Sequence, residues 1–251
     1  SGRVPIISLV LGPVVGVSSL AAGLADFTIL RDEHGQLFLS SPLETPEVIE
    51  GEIDAQGLGG ANLHASRSGI ACLIADDDED ACEMAAEILG FLPDHNGAVA
   101  PYIETADPSD RLNEELETLV PDNPNRPYDM VKVVEEIVDD GHFMELFESY
   151  ADNIIIGFAR LGGRTVGVIG NQPKVLAGCL DIDASIKAAR FIRTCDAFNV
   201  PLLTLEDVPG FLPGVVQEWG GIIRHGAKLL FAHAEATVPT VSYTHLRAHE
   251  T

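Results

Sequence analysis

The chain has 251 residues, and its 15 Lys and Arg residues stand against 39 Asp and Glu residues, for a formal net charge of −24. So acidic a protein repels polyanions, which argues against nucleic-acid binding. The composition, 46% hydrophobic with 24 Gly and 15 Pro, is that of a folded protein. The length allows one large domain or two of about 125 residues.

The four cysteines, at positions 72, 82, 179 and 195, form no Cys-x-x-Cys pair. This spacing excludes a zinc ribbon. We therefore expect free thiols in a reducing compartment, with no structural metal and no disulfide.

Residues 4–25 carry no charged side chain, so a membrane span and a secretory signal both have to be weighed. Gly12-Pro13 divides this run into two short pieces. An apolar, β-branched stretch followed by a Gly-Pro turn and small residues is typical of a buried strand that leads into a buried helix. We prefer this interpretation and expect no membrane insertion.

The pattern of apolar residues predicts alternating strands and helices, which is an α/β fold class. Strands are predicted at residues 5–10, 26–30, 36–39, 70–75, 153–159, 165–170, 202–205 and 237–242. Helices are predicted at residues 18–24, 46–50, 78–89, 128–138, 143–150, 183–198 and 216–235, with Asp77 or Asp78 as the N-cap of the third. The polar, proline-rich stretch 101–127 is interpreted as a linker, with a boundary near Asn125.

Two glycine-rich turns are the candidate functional sites. Residues 12–16 (Gly-Pro-Val-Val-Gly) lie between a strand and a helix, where backbone amides can bind an oxyanion, although a plain tight turn fits the spacing equally well. Residues 207–214 follow the strand 202–205, at the end of a parallel strand where α/β sheets bind ligands. A proline-stiffened connector with Phe211 in the core is the alternative for the second turn.

Other motifs are incomplete. Residues 221–228 approach a P-loop, but Lys228 does not directly follow a glycine and no Ser or Thr follows it. Residues 16–20 imitate a nucleophile elbow without its final glycine, so Ser18 is not expected to be a nucleophile. Gly220, Gly221 and Gly226 within one predicted helix indicate close approach of another backbone or a ligand.

A short internal repeat indicates two related halves. Val4-Pro5 and Val238-Pro239 each begin an apolar strand, and the two surrounding segments, residues 3–8 and 237–242, are similar. Equivalent strands in two halves would explain the repeat.

Residues 207–214 (Asp-Val-Pro-Gly-Phe-Leu-Pro-Gly), the pair Gln217-Glu218 and residues 221–230 closely resemble the carboxyltransferase (β) subunit of biotin-dependent acyl-CoA carboxylases, of the propionyl-CoA/methylmalonyl-CoA type. The similarity runs from about residue 4 to residue 241. Further matching motifs lie at residues 58–61, 64, 68–69, 107–111, 153–159, 170–174 and 178–181.

The resemblance implies a fold of two crotonase-like (ββα spiral) halves, both incomplete in this sequence: a first half at residues 1–125 that binds the acyl-CoA and a second at 126–242 that binds biotin. In the family, an active site forms where the first half of one subunit meets the second half of another. Residues 243–251 depart from the family pattern and are interpreted as a non-native tail.

The implied mechanism relies on backbone amides. Carboxybiotin releases CO₂, the biotin anion removes the acyl α-proton, and the thioester enolate attacks CO₂, so that both oxyanions need amide donors. The resemblance assigns the thioester oxyanion turn to Gly16, Val17 and Ser18, although the family usually has Gly-Gly where this chain has Gly16-Val17. It assigns the CoA side to Gly59, Gly60, His64 and Gly69, and the biotin side to Val208, Pro209, Gly210, Phe211, Gly214, Gln217, Glu218 and Gly221.

The resemblance also implies a biotin cofactor on a partner carrier protein, a biotin carboxylase subunit, homo-oligomerisation, no bound metal and a cytoplasmic location. The preferred substrate is propionyl-CoA or acetyl-CoA, and this incomplete chain is expected to be inactive. One alternative is the carboxyltransferase subunit of a sodium-pumping methylmalonyl-CoA or glutaconyl-CoA decarboxylase. Another is a non-catalytic crotonase-like binding protein, which Val17 favours.

Overall fold

The computed structural model describes residues 2–40, 54–108, 110–121, 123 and 126–244. The chain divides into two compact units: Ser1–Gly90 with Phe147–Tyr150, and Phe91–Leu146 with Ala151–Thr251. The predicted helix 46–50 and the predicted boundary near Asn125 lie outside the described residues. The division into halves 1–125 and 126–242 therefore stays a prediction.

The first unit contains two small parallel sheets. The main sheet has the order β1-β3-β5, formed by β1 (Ile7–Val10), β3 (Phe27–Arg31) and β5 (Leu73–Ala75). The second pairs β2 (Pro13–Val15) with β4 (Gln36–Phe38). The helices are α1 (Val17–Leu24), α2 (Ala55–Gly59), α3 (Ala61–Leu63), a π-helical turn His64–Ser68, and α4 (Asp78–Phe91). The core contains Val10, Ala22, Leu30, Leu37, Ala61, Ala65 and Ala71.

Helix α4 begins where its acidic sequence predicts. Asp77 is its N-cap, because its carboxylate accepts hydrogen bonds from the amides of Glu79 (2.9 Å) and Asp80 (3.0 Å). The amide of Asp80, and then that of Glu79, hold the pKa of the Asp77 carboxyl below its usual value.

The second unit contains one mixed sheet of five strands in the order β10-β9-β8-β7-β6. Its strands are β6 (Met144–Leu146), β7 (Ile154–Leu161), β8 (Arg164–Asn171), β9 (Leu202–Leu205) and β10 (Thr240–Tyr243). Its helices are α5 (Leu116–Leu119), α6 (Met130–Ile137), α7 (Ile182–Ala197), α8 (Val215–Gly220) and α9 (Ile222–Glu235). The pairs β8–β9 and β9–β10 are parallel, whereas β6, β7 and β8 are antiparallel.

Both faces of this sheet are covered, which explains why β7 is a continuous apolar run. Ile155 and Ala159 lie in one core cluster with Met130 of α6. Side chains alternate along a strand, so Phe158 points to the opposite face. There its ring lies 5.2 Å from the ring of Phe191 in α7.

Three predictions about local structure are wrong. Residues 143–150 were predicted as a helix, but Met144 and Leu146 are buried in β6, which pairs with β7, and Phe147 has a φ of 58° that no α-helix accepts. The single helix 216–235 is instead two helices, because Gly221 has a φ of 91° between α8 and α9. Residues 13–15, predicted as part of a tight turn, form β2.

The strands of the internal repeat occupy edges of different sheets in the two units. β1 pairs with β3, and β10 pairs with β9. The superposition of two equivalent halves stays a prediction. β10 includes Tyr243, the first residue of the predicted tail, and residues 245–251 lie outside the described residues.

We predict that Asp181→Ala lowers the free energy of unfolding by about 1–2 kcal/mol, because Asp181 is the N-cap of α7 and accepts a 2.8 Å hydrogen bond from the amide of Ala184. Denaturant unfolding measures this loss. The matched control is Thr194→Ala in the same helix, whose hydroxyl donates to the carbonyl of Arg190 and satisfies no amide. The control should shift stability by less than about 0.5 kcal/mol. Equal losses in both variants would contradict the capping role.

Candidate functional site

The predicted oxyanion turn lies at the end of β2. Gly16 has φ 74° and ψ −146°, a conformation that residues with a side chain avoid, and it is the N-cap of α1. Its own amide donates a 2.9 Å hydrogen bond to the carbonyl of Phe38 in β4. Because β2 pairs with β4 in parallel, this bond continues the ladder past Val15. The turn is therefore fixed by sheet pairing.

The first turn of α1 leaves amides available for a ligand. The amides of Val17 and Ser18 have no acceptor within the helix, since a helix offers none to its first residues. The first turn contains no acidic residue that would compete for its positive potential. Val17 is the first helical residue, has no left-handed φ and is 83% exposed. A valine at this position therefore fits the helix start without backbone strain.

Strand β4 brings predicted CoA-side residues close to this turn. Gly59 packs against Leu37 and Phe38 of β4. A β-carbon at position 59 would collide with the carbonyl of Leu37 and the ring of Phe38. Gly60 forms an isolated antiparallel bridge with Gln36. One strand thus contacts both Gly16 and the Gly59-Gly60 pair.

His64 is buried, with both ring nitrogens hydrogen-bonded. Nε2 lies 3.0 Å from the carbonyl of Leu37, and Nδ1 lies 2.7 Å from the hydroxyl of Ser68. A carbonyl can only accept, so Nε2 carries a proton, and in the neutral ring Nδ1 accepts from Ser68. His64 therefore supports β4 rather than facing open space. Gly69, with φ 63°, ends the π-helical turn beneath the ring of Tyr150.

The second predicted site, residues 207–214, connects β9 to α8. Gly210 (φ 145°) and Gly214 (φ 137°) both have conformations that favour glycine, and an added β-carbon would meet no atom within 4 Å at either. The loop therefore borders open space beside both glycines. Val208 and Pro209 are exposed.

Phe211 is neither fully buried nor free. Its side chain is 45% exposed, and its ring packs on Gly226 of α9, where a β-carbon would lie 2.8 Å from Cε1 of the ring. A β-carbon at Gly220 would similarly lie 2.6 Å from the side chain of Ile182. The close approach predicted for these glycines is thus made by side chains of the same unit. Gln217 accepts a 3.0 Å hydrogen bond from the amide of Ile182, and Glu218 is exposed.

Asn171 belongs to the family-like motif at residues 170–174 but is not among the predicted site residues. It ends β8, is 5% exposed, and forms hydrogen bonds to Gly178 and to Asp207. The hydroxyl of Tyr128 also donates to the carboxylate of Asp207, at 2.8 Å. The signal that could have found Asn171 is a polar residue at the carboxyl end of an apolar strand.

Asp129 links α6 to the segment after β8. Its carboxylate accepts hydrogen bonds from the side chains of Gln172 (2.8 Å) and Lys174 (2.7 Å) and from the amide of Val131 (3.2 Å). Partial burial acts to raise the pKa of Asp129. The hydrogen bonds from Lys174 and Gln172, with the positive charge of Lys174, outweigh burial and hold the pKa of Asp129 below its usual value.

The cysteines are free thiols: Cys72 and Cys195 are buried, and Cys82 is exposed. Burial raises the pKa of Cys195 well above its usual value, so this thiol stays protonated at neutral pH. Across the described ranges, no three His, Cys, Asp or Glu side chains are grouped as a metal ion requires. Within those ranges, no helix is both long enough and apolar enough to span a bilayer.

The carboxyl transferase domain family matches residues 1–249. This chain belongs to the carboxyl transferase family. The carboxyl transferase domain is 50% identical over 249 residues to the mitochondrial propionyl-CoA carboxylase beta chain of Sus scrofa. It is 49% identical over 249 residues to the methylmalonyl-CoA decarboxylase subunit alpha of Propionigenium modestum. These alignments cover 99% of the chain but 46% and 48% of the relatives, so the chain spans about half their length.

The fold of this carboxyl transferase domain matches a solved structure of transcarboxylase 12S with methylmalonyl-CoA and methylmalonic acid bound. The TM-score is 0.93 at 44% identity, and the match covers 96% of this chain and 46% of that one. The predicted family membership is confirmed, and the mixed α/β architecture is that of a crotonase-like carboxyltransferase.

We predict that Gly16→Ala lowers the free energy of unfolding by about 1–3 kcal/mol, because alanine is strained at φ 74° and ψ −146°. Gly23→Ala is the matched control: it lies in α1, its added β-carbon also meets nothing within 4 Å, and its φ is not left-handed. The control should raise stability by up to about 1 kcal/mol. A neutral Gly16→Ala, by denaturant unfolding, would show that the turn accepts a side chain.

We predict a pH-dependent contribution from Asp129. Its pKa is lower in the folded state, so the stabilisation is present above the unfolded pKa and disappears as pH falls through the folded value. Lys174→Met should therefore reduce the free energy of unfolding at pH 7 by about 0.2–1 kcal/mol, since both side chains are partly exposed. The difference should shrink as pH falls and disappear once Asp129 is protonated in the folded state. Lys174→Arg, which keeps the charge, is the control, and a difference that persists at low pH would contradict the ion-pair explanation.

Proposed function

We propose that this protein transfers a carboxyl group between carboxybiotin and a short-chain acyl-CoA, with propionyl-CoA or acetyl-CoA as the acyl acceptor. Family membership and the functions named for the relatives support the reaction class. The observation that carries the proposal is the start of α1, where a left-handed Gly16 precedes two helix amides with no helical acceptor. Such amides suit an oxyanion.

In the proposed reaction, the amides of Val17 and Ser18 bind the thioester oxygen as it gains negative charge. This interaction strengthens along the reaction coordinate, because an enolate oxygen carries more charge than a thioester carbonyl. Neither amide needs to move, since Gly16 is held by the carbonyl of Phe38. The side chain of Ser18 has no role in this step.

The CoA side is assigned to Gly59, Gly60, His64 and Gly69. Gly59 and Gly60 contact β4 directly, and His64 reaches it through the carbonyl of Leu37. The role of Gly59, Gly60 and His64 in the proposal is to hold the strand that supports the oxyanion turn. His64 is thus a positioning residue, because both its ring nitrogens are already hydrogen-bonded.

The loop 207–214 is assigned to biotin carried by a partner protein. Its residues fit such a group, because Gly210 and Gly214 border open space and the half-exposed ring of Phe211 offers an apolar face. When bound, biotin supplies the carboxyl group and the base for the acyl α-proton. The loop's own contribution is to orient the ring system and exclude water from it. Val208, Pro209, Gln217, Glu218 and Gly221 complete the assignment.

The second candidate is the carboxyltransferase subunit of a sodium-pumping acyl-CoA decarboxylase. The methylmalonyl-CoA decarboxylase subunit supports it, because its identity to this chain equals that of the carboxylase subunits within two percentage points. Val17 does not favour a non-catalytic role, because its backbone is helical and its amide is placed as that of any first helical residue.

Partners follow from the same proposal: a biotin carboxyl carrier protein, a biotin carboxylase subunit and further copies of this subunit. The solved transcarboxylase 12S forms a hexamer. An exposed apolar surface on α8 and α9, which includes Val216, Trp219 and Ile223, is consistent with coverage by another protein surface. A cytoplasmic location stays a prediction.

The proposal is tested by decarboxylation of methylmalonyl-CoA with free biotin. The assay compares this chain with a chimera extended at both ends by the flanking segments of the Propionigenium modestum subunit. We expect turnover by the chimera and a rate at least about a hundredfold lower for the chain alone, as for loss of an oxyanion donor. Equal rates would show that the flanking segments contribute no part of the site, and an inactive chimera would contradict the function.

We predict that Ser18→Ala in the chimera keeps the decarboxylation rate within about twofold, because the proposal uses only its backbone amide. Gly16→Ala should lower the rate by about a hundredfold or more, because it redirects the amides that follow. A Ser18→Ala variant as slow as Gly16→Ala would instead indicate chemistry by the hydroxyl.

A further inference from the structure

The segments that follow β8 and β9 meet at the carboxyl ends of these two parallel strands. After β8 the chain forms the turn Leu176–Gly178, and after β9 it enters the loop 207–214. Because neighbouring parallel strands end at the same edge, the two segments are neighbours as well. What joins them is a buried side chain.

Asn171 is the last residue of β8 and binds both segments. Its Nδ2 donates to the carbonyl of Gly178 at 3.1 Å, and the amide of Asp207 donates to its Oδ1 at 3.3 Å. The side chain is 5% exposed, so water does not readily replace either bond. The side-chain amide of Asn171 therefore hydrogen-bonds both to the turn and to the first residue of the loop.

Two further contacts join the same segments. Leu180 pairs with Phe211: its amide donates to the carbonyl of Gly210 at 3.1 Å, and its carbonyl accepts from the amide of Leu212 at 2.8 Å. Gly178 is also in close contact with the loop, since an added β-carbon would lie 2.6 Å from the carbonyl oxygen of Asp207. The start of the loop is thus attached to the turn, and its middle is attached to Leu180, just after the turn.

The turn itself needs such attachment. Leu176, Ala177 and Gly178 have φ values of 49°, 55° and 75°, and the first two are non-glycine residues in the left-handed region. Such backbone costs free energy and persists only where surrounding contacts determine it. The hydrogen bond from Asn171 to the carbonyl of Gly178 holds the last residue of this strained turn.

We propose that Asn171 is a positioning residue for the loop 207–214: by binding Gly178 and Asp207 at once, it fixes the loop against the turn Leu176–Gly178. The proposal rests on the proposed function only where it calls this loop the biotin side. Asn171 acts through the backbone of the two segments and needs no contact with a substrate.

Two variants test the link from opposite sides. Asn171→Asp keeps the acceptor but, ionised at pH 8, cannot donate to Gly178. Gly178→Ala leaves Asn171 intact and places a β-carbon against Asp207. Asp139→Asn is the control for the first, because Asp139 binds the amides of Gly162 (2.8 Å) and Gly163 (2.6 Å) at the opposite end of β8.

The control for Gly178→Ala is Gly162→Ala. Both glycines have a left-handed φ, 75° and 57°, but an added β-carbon at Gly162 meets nothing within 4 Å. The two variants thus share backbone strain and differ in the collision with the loop. Any effect of Gly178→Ala beyond that of Gly162→Ala therefore reports the contact with Asp207.

Hydrogen exchange of this chain, followed by mass spectrometry at pH 8, is the readout. Both test variants should speed exchange at the amides of Leu180 and Leu212 by about tenfold or more, because the loop is then no longer held against the turn. Gly178→Ala should do the same at Asp207, whereas Asn171→Asp keeps the acceptor for that amide. The controls should change only the hairpin near Gly162. Unchanged exchange in the loop for either test variant, or an equal increase in the controls, overturns the proposal. Where Asn171→Asp unfolds the chain, Gly178→Ala decides.

A kinetic measurement separates this proposal from the proposed function. In the chimera, a loosened loop should raise KM for free biotin by about fivefold or more while KM for methylmalonyl-CoA stays within twofold. If exchange rises but KM for biotin does not, Asn171 still positions the loop, and it is the assignment of that loop to biotin that fails.

Discussion

A backbone amide can serve a ligand only if the polar groups around it are satisfied elsewhere, and this constraint shapes the first unit. The amide of Gly16 donates a hydrogen bond to the carbonyl of Phe38, which fixes the sharp turn into α1. The next two amides then have no acceptor within the helix. Strand β4 is the common support, because His64 in turn binds the carbonyl of Leu37. A buried imidazole and a two-stranded sheet thus fix a turn that carries no charged side chain.

The second unit has a similar arrangement. Glycines with left-handed φ shape the loop 207–214, and a buried side-chain amide, that of Asn171, lies behind it. In both units, glycines with a left-handed φ shape the predicted site, and a buried polar side chain, His64 or Asn171, binds the backbone that supports it. This arrangement suits chemistry at oxyanions, which needs donors of fixed direction more than acids or bases.

Much of the fold could be predicted from the sequence, because apolar runs such as Leu202–Leu205 and the acidic helix start at Asp77 carry their own local signals. The failures have tertiary causes. Residues 143–150 have helix-like spacing, but pairing with β7 determines β6. The break between α8 and α9 could not be predicted, because residues 216–235 contain three glycines. Only Gly221 has the left-handed φ that ends the helix. The two contacts of Asn171 could not be predicted, because its partners lie 7 and 36 positions away along the chain.

The chain is about equally identical to a carboxylase subunit and to a decarboxylase subunit, and the chemistry proposed here is the same for both. In the proposed mechanism, the amides after Gly16 stabilise a thioester oxyanion, and that species lies on the path in both directions. An interaction that lowers the free energy of a shared transition state accelerates the forward and reverse reactions equally. Selection on these amides therefore cannot distinguish the two directions. The direction depends on the free energy of the carboxyl donor and on the partner subunits that supply or remove it.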